Sequence, residues 1–404
     1  MATTLASLDP IMKEVYAPRI TEQLNEETTA LKRITKSNSG VTQDVGGKYV
    51  VLPIHTRRNA GIGSRLESEP LPQPGQQGYA ASRVALKYGY GSVQLTGQAI
   101  ALSDSDSKSF ARALDQEMTG VKNDILKDMN RQVYGVGNGA IGTVSTAGTS
   151  STTITVSDAR LFQVGEIVDL VTLPATVATA GLTVTAVNVS AGTITVSSAV
   201  TSAVGQILVR TGSGPSASAN RELTGFSAIV NNTGALFNID PAVEPEWTAT
   251  VNSNGGTGRA LTEALMINVV DTIRTRGGST TLILTSLGVR RAYFNLLSQT
   301  RSTVNTQDFT GGFKGLAFTT DKGDIPFIAD VDAPLGKAWF LNEDTFTYYH
   351  DEDWHWLDRS GNMWERKVDS NGTYDAWYAN LVEYHELGVD RRNSNGLLAD
   401  ITEA

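Results

Sequence analysis

The stretch Ser103–Val133, SDSDSKSFARALDQEMTGVKNDILKDMNRQV, decides how the rest of the chain is read. Its apolar residues Phe110, Leu114, Met118, Val121, Ile125 and Met129 recur in steps of three and four, which lines one face at the helical period. That face is predicted to be buried, while Arg112, Asp115, Lys122, Asp128 and Arg131 occupy the opposite one. The Ser and Asp residues ahead of Phe110 offer capping oxygens and put negative charge at the positive end of the helix dipole. Gly120 is out of character, at a cost of about 1 kcal/mol relative to alanine, and the Gly-Val-Gly-Asn-Gly run from Gly135 ends the helix. A helix of this length is expected to brace something large.

On its N-terminal side, residues 1–45 hold one weakly amphipathic segment, Ile11 to Ile34, with Met12, Val15, Ile20, Leu24 and Leu31 at helical spacing and Pro18 interrupting it. From Gly46 to Leu102 the pattern becomes strand: YVVLPI, then RVALKYGYGSVQLTGQAI with alternating Val84, Leu86, Tyr88 and Tyr90. Between them lies a polar tip with three prolines, four glycines and five charges, which has nothing from which to build a core. An isolated long hairpin of this kind is marginal in water and is expected to lie on another molecule.

On the C-terminal side, Gly137 to about Ser218 is rich in Thr, Val, Ser, Ala and Gly and nearly free of charge. STTITV, GEIVDLV, LTVTAVNV, GTITVS and GQILVR read as five strands of an inserted barrel or sandwich. Thr153, Ile154, Thr155, Val156, Ser157, Ala159, Val164, Gly165 and Ile167 recur forty positions on as Thr193, Ile194, Thr195, Val196, Ser197, Ala199, Val204, Gly205 and Ile207. Either a strand–turn–strand unit is repeated, or a low-complexity β composition has converged. From Arg221 the chain is mixed: GFSAIVNNTG reads as strand and turn, GRALTEALMINVVDTIRTRGG and LGVRRAYFNLLSQ as helices, and TTLILTS as a buried strand between them. Residues 326–404 read as aromatic strands returning beside the central helix.

At 404 residues the chain is too long for one simple core. With no cysteine, neither disulfides nor thiolate metal sites exist, so stability comes from packing or assembly. No run approaches the roughly 18 apolar residues of a membrane span, and the N-terminus lacks an export signal, so no membrane partner is expected. A formal charge of −9, from 33 basic and 42 acidic residues, argues against nucleic-acid binding. Gly137-Asn-Gly139-Ala-Ile-Gly142 matches G-x-G-x-x-G but follows a helix rather than a strand, the wrong context for a phosphate site. His350-Asp-Glu-Asp-Trp-His355 alone offers clustered metal-ligand types. On a strand, Asp351, Asp353 and His355 share one face, which would suit a metal-dependent hydrolase. The competing reading is a charged, aromatic strand edge, since five of the six tryptophans lie between Trp339 and Trp377. His55 and His385 accompany no nucleophile motif, so no catalytic centre emerges and no cofactor is expected.

The series of arm, polar-tipped hairpin, long helix, β insertion, α/β half and return strands resembles the major capsid proteins of tailed bacteriophages, with the Hong Kong 97 shell fold. The resemblance rests most on GQQGYAASRVALKYGYGSVQLTGQAI running into the helix, on PFIADVDAPLGKAWFLN, and on YANLVEYHELGVDRRNSNGLLADIT, which are similar to capsid proteins of actinobacterial siphophages. It implies an α+β fold: N-terminal arm 1–45, E-loop 46–102, spine helix 103–136, inserted β domain 137–218, peripheral domain 219–254, axial domain 255–325, and return strands with the C-terminus 326–404. It further implies hexamers and pentamers of this chain in an icosahedral shell around double-stranded DNA, held without sequence-specific contact. A portal and possibly a decoration protein would be its other partners, with assembly in the bacterial host cytoplasm and residence in the virion capsid. The arm begins almost at Met1, so scaffolding is expected from a separate protein, and no Lys between Lys48 and Lys87 is available for cross-linking from the tip. Arg57, Arg58, Arg65, Glu67 and Glu69 are the candidate subunit-contact residues of that tip. A bacterial encapsulin-type nanocompartment shell is the alternative of the same fold.

Overall fold

The computed structural model describes residues 27–37, 49–98, 107–215, 220–301, 316–358, 363–369 and 372–404. Most of the Ile11–Ile34 segment lies outside them. Its end forms the short helix α1 (Thr29–Arg33), followed by strand β1 (Thr35–Ser37). Next come β2 (Val50–Arg57) and β3 (Gly78–Val84), antiparallel to each other from Val50↔Val84 to Arg57↔Gly78, and then β4 (Lys87–Thr96). The hairpin therefore closes at Val84. RVALKYGYGSVQLTGQAI, read above as one strand, is divided at Ala85–Leu86, and its second part leaves the hairpin for another sheet.

The long helix α2 spans Ser107–Tyr134. Its predicted apolar stripe is buried toward the C-terminal end: Met129, Val133 and Tyr134 are in the core, while Met118, Val121 and Ile125 are half-buried. The side chains of Phe110 and Leu114 lie outside the described set. Val121 and Ile125 pack on β4 at Gly91, where a Cβ would stand 2.2 Å from Ile125 Cδ1, so only glycine admits the helix this closely. At Gly120, by contrast, a Cβ would meet nothing within 4 Å.

The insertion is a closed barrel of six strands rather than five: β5 (Ala140–Thr146), β6 (Gly148–Val156), β7 (Ile167–Thr172), β8 (Thr176–Asn188), β9 (Thr193–Ser202) and β10 (Ile207–Arg210), in the order β10-β5-β6-β9-β8-β7. The forty-residue self-match is structural. Ile154 pairs with Ile194 across β6–β9, Ile167 with Thr183 across β7–β8, and Ile207 with Thr143 across β10–β5. Thr143 N donates to Ser157 Oγ as Thr183 N donates to Ser197 Oγ, both at 3.1 Å. Gly165 N donates to Val184 O as Gly205 N donates to Val144 O, and both glycines take the left-handed conformation, with φ of 92° and 87°. The barrel is thus two copies of one unit about a local two-fold axis, with Ile154 and Ile194 at its centre in a core of its own.

Beyond the barrel, GFSAIV is not a strand but a helical turn, α3 (Phe226–Ile229), whose ends are both buried. The α/β half comprises β11 (Thr250–Asn252), α4 (Glu263–Thr275), β12 (Leu282–Thr285), α5 (Leu287–Arg301), β13 (Ala317–Thr320), β14 (Gly323–Ala329) and β15 (Ala338–Leu341). The chain then forms β16 (Phe346–His350), β17 (His355–Trp356), β18 (Glu365–Asp369), β19 (Gly372–Val389) and β20 (Gly396–Leu398). One mixed sheet runs β11-β20-β15-β12-β14-β13 with α4 and α5 packed on it. The other is centred on the 18-residue strand β19, which pairs β16, β17, β18 and, over ten residues, β4. The whole is α+β.

Candidate assembly surface

The hairpin is anchored at its root. Val50 and Val84 are buried with Tyr349, Arg83 N donates to Phe237 O at 2.8 Å, and Arg57 Nη2 reaches Glu244 Oε1 at 3.2 Å. Beyond Arg57 the tip has local order but no core. Asn59 Oδ1 accepts from Gly61 N at 2.7 Å while its Nδ2 donates to Gly75 O, tying the two sides together. Arg65 Nε donates to Pro70 O, and Glu69 Oε2 accepts from Leu66 N. Of the five charged residues singled out, Arg57 is thus spent on this chain's own Glu244, Arg65 and Glu69 shape the turn, and Arg58 and Glu67 stand exposed. Ile62, Leu66 and Leu71 are 84%, 77% and 82% exposed, a cluster of large apolar side chains that a finished surface would cover.

The arm is held by a buried polar knot. Asp330, wholly buried, accepts from Ala30 N at 3.0 Å, Tyr134 OH at 3.1 Å, Asp332 N at 2.9 Å and Asn130 Nδ2. Asn130 Oδ1 accepts from Leu31 N at 3.1 Å. The first free N–H groups of α1, the long helix and the α/β half thereby meet at one carboxylate. Lys127 adds a bond to Asp332 at 2.8 Å, and Arg33 one to Glu343 at 2.6 Å.

Both ends of the barrel are pinned to α2. Arg131 donates to Asp128 at 2.9 Å, to Glu222 at 2.7 Å and to Ala140 O at 3.0 Å; Arg210, on β10, reaches both Asp128 and Glu166 at 2.7 Å. Burial by itself would raise the Asp128 carboxyl, but Arg131 and Arg210 outweigh it and hold the group at about 2. Glu222 is raised, because burial and the charge of Asp128 together exceed what its share of Arg131 returns.

The family model described as SU10 major capsid protein matches residues 91–401. The chain belongs to that family. It is a major capsid protein, a structural component of an icosahedral shell and not an enzyme, and its place is the virion capsid. No curated protein matches the sequence. Among solved structures it is similar to the cyanophage A-1(L) capsid asymmetric unit, at 16% identity and a TM-score of 0.63, covering 99% of this chain and 100% of that one. Looser matches are Mycobacterium phage Bobi, at 11% identity and 0.49 over 99% of each chain, and the capsid of Myoviridae phage XM1, at 8% and 0.48, also over 99% of each.

In this capsid protein the metal trio inferred from the sequence does not form. Residues 351–354 are bends rather than strand, so alternation does not carry across them. His355 is half-exposed, with Nδ1 3.6 Å from Glu352, and Asp351 N donates to Tyr384 O. Of the three, Asp353 joins a different pair, His350 and Glu383, with one donor atom of each within 4.8 Å of the others.

Reading the sequence alone also passes over Glu386 on β19, which is 1% exposed. Its Oε1 accepts from Thr224 N at 2.7 Å and Leu387 N at 3.0 Å, and its Oε2 from Thr224 Oγ1 at 3.0 Å. Burial outweighs these bonds and the nearby charge of Lys87, pushing the carboxyl up to about 7. Glutamate in the unfolded chain titrates near about 4.3. Between those two values the folded state holds a proton that the unfolded state has released, so stability falls as pH rises, by roughly 3 kcal/mol once pH exceeds 7. In Glu386→Gln the amide oxygen keeps both N–H donors and the amide NH2 can donate to Thr224 Oγ1. The variant is expected to melt above the parent at pH 8 and level with it near pH 4.5. Equal shifts at both pH values would refute the charge origin.

Proposed function

We propose that this capsid protein tiles the shell as hexamers and pentamers through two straps, the hairpin Val50–Val84 acting as the extended E-loop and the N-terminal arm lying across a neighbour. The helix Ser107–Tyr134 serves as the spine of the peripheral domain, the α/β half gathers at capsomer centres as the axial domain, and the barrel is an inserted domain on the shell surface. The observation that carries this is the tip, with Ile62, Leu66 and Leu71 each more than three-quarters exposed on a loop that has no core beneath it. Large obligate interfaces, of about 2,000 Å² and more, are where such side chains are buried. Arg58, Arg65, Glu67 and Glu69 supply ion pairs to the adjoining subunit, each worth about 0–1 kcal/mol where exposed but repeated at every subunit, while Arg57 fixes the base of the hairpin through Glu244 of its own chain. A net charge of −9 keeps the packaged double-stranded DNA from adhering to its container. Scaffolding, portal and decoration proteins complete the particle, which assembles in the host cytoplasm. Deleting residues 60–76 is expected to abolish closed particles in electron micrographs while the purified chain keeps its circular dichroism and cooperative melt. Normal shells from the deleted chain would overturn the strap reading.

A further inference from the structure

Strand β16 ends at His350, the chain bends through residues 351–354, and β17 returns along the same partner strand, β19. His350 faces His385 across the β16–β19 ladder, and Glu383, two residues from His385, lies on the same face of β19. The bend carries Asp353 over that face, so one donor atom each of His350, Asp353 and Glu383 falls within 4.8 Å of the others. Aromatic rings wall the place: Tyr348 stacks on His385 with centroids 5.5 Å apart, and Trp354 tilts onto His385 at 6.0 Å.

A second observation is separate from this convergence. Glu383 is 1% exposed; the Tyr348 hydroxyl donates to its Oε2 at 2.8 Å, and its Oε1 has no hydrogen-bond partner among the described residues. His350 Nδ1 is buried and unpartnered too, as is His385 Nδ1, which stands 3.5 Å from Glu383 Oε2. Buried polar atoms are normally satisfied, and a buried carboxylate oxygen that accepts from nothing, beside two imidazole nitrogens that are likewise unpartnered, is a place for a cation. From the solvent side a cation already approaches: Lys36, on the arm strand β1, puts its ammonium 3.6 Å from Asp353 Oδ1.

We propose that His350, Asp353 and Glu383 bind a divalent transition-metal ion, zinc foremost, which clamps the β16–β17 bend onto β19. One imidazole nitrogen and two carboxylate oxygens are a zinc donor set, with a fourth position left for water or His385. Calcium and magnesium call for six or more oxygens or a retained water shell, which a site containing an imidazole and walled by rings does not supply. Tyr348 is the outer partner that orients the Glu383 carboxylate. Metal–donor bonds of about 2.0–2.2 Å need the donors to close in, and Asp353, on an exposed bend, is the one that moves. The ion then takes over from Lys36 as the positive charge beside Asp353. The role is structural, and it stands apart from the strap reading above.

The test uses the untagged full-length chain, stripped with chelator and desalted, then given Zn2+ and desalted again. Expected are about one zinc per chain by elemental analysis and a higher melting temperature that chelator reverses. Asp353→Asn, at an exposed position, should keep the metal-free melting temperature and lose the zinc response, and Glu383→Gln should lose it as well. Tyr348→Phe should weaken binding about tenfold, as loss of an outer partner does, and Lys36→Met should bind at least as tightly as the parent. The proposal is overturned if the stripped chain retains well under one zinc per chain, or if Asp353→Asn binds zinc as the parent does.

Discussion

Arg392→Met is expected to leave little folded capsid protein. Arg392 is 1% exposed and its guanidinium is surrounded by main-chain carbonyls: Nε donates to Ile229 O at 2.8 Å, Nη1 to Trp247 O at 3.2 Å and Gly234 O at 3.3 Å, and Nη2 to Ala228 O and Thr233 O at 3.4 Å. It therefore gathers the end of α3 and the following loop with the stretch that leads into β11. Burial pulls the guanidinium down to about 10, still fully protonated at neutral pH, so the charge is compensated by carbonyl dipoles. Methionine fills part of the volume and satisfies none of the five acceptors. At about 1–3 kcal/mol for each buried group left unpaired, even partial relaxation costs roughly 4 kcal/mol, much of a domain's usual 5–15. Arg392→Lys, with three donors on one nitrogen, should recover part of the loss. Denaturant melts and soluble yield decide it: a methionine variant melting within a degree or two of the parent would show that the five bonds carry nothing.

Such a residue was hidden from the sequence because a charged side chain in VDRRNSNGLL reads as surface, and nothing local says that five carbonyls 145 to 164 positions upstream wait for it. Long, continuous periodicity was legible. The 28-residue helix, both α/β helices and five barrel strands each repeat a pattern long enough to outvote single residues. Short elements were not: Phe226–Ile229 has four residues and no period, and Ala140–Thr146 is broken by Gly142, which leaves room for the Phe162 ring that a Cβ would touch at 2.8 Å. Alternation also cannot say which partner a strand takes, so RVALKYGYGSVQLTGQAI, Arg83 to Ile100, read as one strand although β3 pairs β2 while β4 pairs β19. The tip was legible as a loop without a core, since composition alone says so. Its anchor at Glu244, and the His350, Asp353 and Glu383 convergence, depend on residues that only the fold brings together.

Asp330→Ala is expected to release the N-terminal arm. The carboxylate is the common acceptor for Ala30 N, Tyr134 OH, Asp332 N and Asn130 Nδ2, and Asn130 in turn holds Leu31 N. Alanine leaves these donors facing a small cavity from which water and charge have been removed, a loss of about 3–5 kcal/mol by the measure of broken buried networks. Asp330→Asn should fare little better, because an NH2 turned toward Ala30 N–H or the Tyr134 hydroxyl opposes donor to donor. The damage should be uneven. Amides of residues 30–37 should exchange with solvent far faster than in the parent, whereas the barrel, with its own core around Ile154 and Ile194, should keep its protection. If the arm is a strap, closed shells should fall in yield along with arm protection, and α2 should loosen at Asn130 and Tyr134 before it loosens at Val121, which rests on β4 rather than on the knot. Arm amides protected to the parent's level in Asp330→Ala would mean that β1 pairing with β16 holds the arm unaided, and the knot would then be a consequence of docking instead of its cause.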